Sequence, residues 1–69
     1  MDPKDWIREF ARELDLEVPD DRQIDELLDL AGIAAHASQR TAAPIACYLA
    51  GLSGLPASEL IERAGKVAG

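Results

Sequence analysis

His36, the only histidine of the chain, stands four residues before Arg40 and five before Thr41. A histidine and an arginine four apart on a continuous helix share a face, and Thr41 adds a hydroxyl beside them. With the first amides of a following helix, such a cluster suits a phosphate or a carboxylate, because a helix N-terminus favours negative charge. The competing reading is structural. Both cations would complement the negative end of the helix that precedes them, with Arg40 paired to acids earlier in the chain. Structural ion pairs commonly imitate functional clusters, so the structural reading is preferred and a small anionic ligand is the alternative.

Catalytic chemistry finds less support. Cys47 is the sole cysteine and falls on a different expected helix from His36, whereas a nucleophile needs a base within hydrogen-bonding reach. It reads as a small core residue. The many carboxylates lie on wet helical faces rather than as an acid–base pair. One cysteine and one histidine do not make a zinc site. Gly51 and Gly54 lack the strand and the Lys-Ser/Thr pattern of a phosphate loop. The expectation is a non-enzymatic chain with no catalytic residue, metal or cofactor.

The elements that must position these residues follow from length and charge. Sixty-nine residues form a single domain, 1–69, with a modest core. Without a disulfide, its stability must come from helix packing or from a partner. A lone thiol fits a reducing, cytoplasmic setting. The opening Met1-Asp2-Pro3-Lys4-Asp5 has no basic region followed by an apolar run, as a signal peptide would. The net charge is −6, and it is unevenly spread. Residues 1–30 hold eleven acids against four bases, and residues 31–69 hold two acids against three bases. Phosphate backbones need clustered Lys and Arg, so nucleic acid and anionic membrane are poor partners. No stretch reaches transmembrane length.

Asp2 before Pro3 marks a helix start. Trp6, Ile7, Phe10 and Leu14 then form one apolar stripe, read as core, and the helix is expected to end near Leu16. Asp20 with Gln23 resembles a capping box for a second helix, from about Asp21 to about Gln39. Ile24, Leu27, Leu28, Ala31, Ala34 and Ala35 mark its buried face, widened by Leu30 and Ile33. Pro44 predicts a sharp turn across Arg40–Ala43, with Thr41 as an available cap. From Pro44 to Leu52 the third helix is apolar nearly all round, so it is buried between neighbours or covered by another subunit. Gly54 stops it and Pro56 opens a fourth helix. The inner stripe there is Leu60, Ile61, Ala64 and Val67, and Glu59–Arg63 and Glu62–Lys66 are favourably spaced pairs. The fold class is all-α, a bundle of four short helices.

An acidic four-helix chain resembles acyl carrier proteins only in outline. Their prosthetic-group serine sits in Asp-Ser-Leu, whereas Ser38, Ser53 and Ser58 sit in Ala-Ser-Gln, Leu-Ser-Gly and Ala-Ser-Glu. A closer resemblance is carried by Asp29-Leu30-Ala31, Ala35-His36, Arg40-Thr41-Ala42-Ala43-Pro44 and Tyr48-Leu49-Ala50-Gly51-Leu52, preceded by Trp6. These segments are similar to a small actinobacterial helical family of uncharacterised function. Similar domains follow nucleotidyltransferases of the molybdenum-cofactor guanylyltransferase type. The resemblance implies a helical accessory domain linked to molybdenum-cofactor maturation, with no catalytic residue of its own. His36 and Arg40 match its polar pattern. The functional expectation is a non-catalytic accessory or protein-interaction domain that binds a protein partner or a second copy, a dimer more often than a monomer. The alternatives are an anion binder at His36, Arg40 and Thr41, or a plain self-associating scaffold.

Overall fold

Asp2 accepts a hydrogen bond from the Lys4 amide (3.1 Å), and Pro3 occupies the first helical position. This cap opens α1, Pro3–Glu13, in a computed structural model that describes residues 1–69. Three further helices follow, α2 (Asp21–Ala37), α3 (Ala42–Ser53) and α4 (Ala57–Ala68), and no strand is present. The fold is an all-α four-helix bundle. α2 is its axis: at 17 residues it is the longest element, and α3 and α4 both pack along it. No helix is long and apolar enough to cross a membrane.

The capping box of α2 forms as its residues require. Asp20 Oδ1 accepts from the Gln23 amide (2.8 Å), and Gln23 Oε1 accepts from the Asp20 amide (3.3 Å). Two orphan donors are thereby satisfied. α1 stops at Glu13 rather than near Leu16, and its ending is a closed motif. The Leu16 amide donates to the Ala11 carbonyl (2.9 Å) and the Asp15 amide to the Arg12 carbonyl (3.0 Å). Asp15 takes the left-handed conformation, φ 57°, where glycine is usual but aspartate is tolerated.

α2 ends at Ala37, two residues short of the expected limit. α3 starts at Ala42, two residues before Pro44, so the proline lies within its first turn. A proline costs nothing there because the first four amides of a helix have no partner within it. Gly54 at φ 69° closes α3. Ser53 Oγ donates to the Ala50 carbonyl (2.6 Å) and accepts from the Leu55 amide (3.1 Å), fixing the exit. On α4 the Glu59–Arg63 pair closes at 3.1 Å, whereas Glu62 and Lys66 do not pair.

Burial departs from the apolar stripes. The buried residues are Ala11, Ile24, Leu30 and Ala50. Leu30, placed at the margin of the α2 stripe, is in the core, while Leu28 is exposed. Trp6, Phe10 and Leu14 were expected as core and are about half exposed, Trp6 and Phe10 stacked with ring centroids 5.1 Å apart. Val67 lies outside the inner face of α4.

α1 is held largely by charge. Lys4 Nζ lies 3.1 Å from Asp25 and 3.9 Å from Asp21, and Arg8 bridges Asp21 and Asp5. The hydrogen bond to Asp25, helped by the negative charge of Asp25 and Asp21, raises the Lys4 pKa above its ordinary value. A group whose folded pKa is raised stabilises the fold below its unfolded pKa and ceases to do so as pH climbs through the folded value. Lys4→Gln should therefore melt below the parent at neutral pH, followed by circular dichroism. The gap should begin to narrow above about pH 10.4, the ordinary lysine value, and close once the pH has passed the raised folded pKa; a gap that persists beyond that would mean that Lys4 acts through packing.

Candidate functional site

His36 occupies the last turn of α2, Arg40 the connecting turn, and Thr41 the position before α3. All three side chains are exposed. Because α2 ends at Ala37, His36 and Arg40 do not share a helix face, and the four-residue spacing loses its meaning. Arg40 has no acid within ion-pairing distance, so its expected pairing with the N-terminal acids is not formed. Thr41 stands at the N-cap without a side-chain capping bond.

Two backbone donors at this turn are also used locally. The Ala42 amide donates to the Gln39 carbonyl (2.8 Å) and the Ala43 amide to the Arg40 carbonyl (3.2 Å). Pro44 has no amide proton. Fewer free N–H groups are therefore left to attract an anion than at an ordinary helix start, and His36, Arg40 and Thr41 stand exposed on the end of α2, the turn and the N-cap of α3.

A second region has the opposite character. α3 carries no formal charge. Its small residues face the body: Ala50 is buried and Ala46 half-buried. Its large ones point out, with Ile45 61%, Tyr48 66%, Leu49 59% and Leu52 66% exposed. Of the two expectations for α3, burial between neighbouring helices is not met for these four within the single chain. Cys47, read as core, is half-buried.

Ile45 and Leu49 also form one wall of a groove of about 610 Å³, floored by Leu30 and Ile33 of α2 and closed by Leu60 and Ala64 of α4. Arg63 is its only charged lining residue, and it is paired with Glu59. Helical periodicity made α3 legible as apolar all round. It did not say which side would pack on α2, because alanines and large aliphatics both satisfy an apolar pattern.

Fold and face together define a small all-α domain that keeps much of its large apolar surface outside. Residues 2–68 match the model of the domain of unknown function DUF6457, and the chain belongs to that family. No curated protein and no solved structure matches it.

The geometry of the α2–α3 turn sets a direct expectation for Arg40→Ala. An exposed, unpaired arginine should change stability by no more than about 0.5 kcal/mol. In thermal-shift measurements at matched ionic strength, inorganic phosphate should move the parent and Arg40→Ala equally. A phosphate-specific shift present only in the parent would make the turn an anion site.

Proposed function

We propose that this chain is a non-catalytic accessory domain that docks a protein on the outer face of α3. The observation that carries the reading is the inverted packing of that helix. Four large apolar side chains sit outside while alanine faces the body. Contiguous exposed apolar surface of this kind is characteristic of interaction sites.

The shape of the chain supports the same reading. Its accessible surface is 5332 Å², whereas a compact monomer of 7.4 kDa exposes about 4,200 Å². The radius of gyration, 12.2 Å, likewise exceeds the roughly 11 Å of a compact domain of this length. Anion seating at His36, Arg40 and Thr41 has less to support it, because the Ala42 and Ala43 amides are taken up within the turn and Pro44 has no amide proton. A link to molybdenum-cofactor biosynthesis rests on the sequence resemblance, and the identity of the docked protein is its test.

A photo-crosslinking residue in place of Leu49 reads the face directly, with one in place of Glu62 as the control on a wet face. Irradiation in cells should give discrete adducts at position 49 and none at 62. Equal or absent labelling at the two positions would remove α3 as a docking face.

A further inference from the structure

We infer that the occupant of the α3 face is a second copy of this chain, packed antiparallel, α3 against α3, about a twofold axis. This rests on the reading of α3 as a docking face and adds the identity of the partner.

Charge carries the choice. In a twofold interface the same patch meets itself, so any charge near the axis meets its like. The chain has a net charge of −6, and α1, α2 and α4 all carry ionised side chains. α3 is the one helix with none, and eleven of the thirteen acids lie in residues 1–30, outside it. It is therefore the one helical surface that can face its own copy without like-charge repulsion. A basic partner would instead be recognised by acids around the apolar face, and the only charged residue lining the adjoining groove is Arg63.

The area agrees. The surface beyond that of a compact monomer of this mass is about 1,100 Å², and a standard interface buries about 800 Å² per partner. One copy on α3 would remove most of that excess, with Trp6, Phe10, Leu14 and Leu28 contributing exposed surface elsewhere. The antiparallel sense follows from Arg40, which stands two residues before α3. Parallel helices would bring two Arg40 side chains together at one end, whereas antiparallel helices hold them at opposite ends. Tyr48 and Leu49, midway along the exposed row, then lie nearest the axis, with Ile45 of one copy opposite Leu52 of the other.

Sedimentation equilibrium of the full chain at micromolar to submillimolar concentration tests this, with circular dichroism reporting helicity. The parent should sediment at twice the 7.4 kDa chain mass. Leu49→Glu and Leu49→Lys should each sediment as a helical monomer, and an equimolar mixture of the two should return to the doubled mass. Tyr48→Glu, at a side chain two-thirds exposed in the single chain, guards against a folding defect at position 49 and should also be monomeric. A folded parent that remains monomeric throughout overturns the proposal. If position 49 still crosslinks to other proteins in that case, the docking face stands and only the second copy falls. A parent dimer that survives both Leu49→Glu and Tyr48→Glu places the contact elsewhere and overturns it equally.

Discussion

The packing of α3 on α2 through small side chains is the contact on which the rest of the molecule depends. Alanine at positions 46 and 50 lets the two helices approach closely, since the distance between packed helices is set by the residues at their contact. The same choice turns Ile45, Tyr48, Leu49 and Leu52 outward. A helix has one circumference. Spending its small residues on the inner contact leaves its large ones for the outer side.

The consequence for stability is direct. Ile24 and Leu30 are the only large side chains in the buried core, and burying a side chain of that size gains about 1.5–3 kcal/mol. α1 contributes little more, since it is tied to α2 by Lys4 and Arg8 against Asp21 and Asp25, and exposed ion pairs are worth about 0–1 kcal/mol each. A chain of this length with so small a core and no disulfide is of the size that usually needs outside help. The surface that would supply that help is the one α3 presents.

Much of the fold was legible in the residues. Asp2-Pro3, the Asp20/Gln23 box, Gly54 and the Glu59–Arg63 spacing each produce their expected feature at the expected place. These are local signals, read within one turn of the helix concerned. What was not legible is tertiary. Leu28 and Leu30 both belong to a wide apolar arc, and only the seating of α3 and α4 on α2 decides that Leu30 is covered and Leu28 is not. The tether of Lys4 and Arg8 to Asp21 and Asp25 spans two helices, so no helical spacing announces it. The apparent site at His36 and Arg40 presumed a helix running to Gln39. No glycine marks the true end at Ala37, and with that end the shared face disappears.

If a second copy covers α3 and thereby stabilises the fold, urea unfolding of the parent must depend on protein concentration, because association adds stability only through mass action. The midpoint should climb with concentration, as the stability per mole of dimer rises by about 1.4 kcal/mol for each tenfold increase. A midpoint that stays the same across the series would contradict the account and show that the single chain is stable with its large side chains in water.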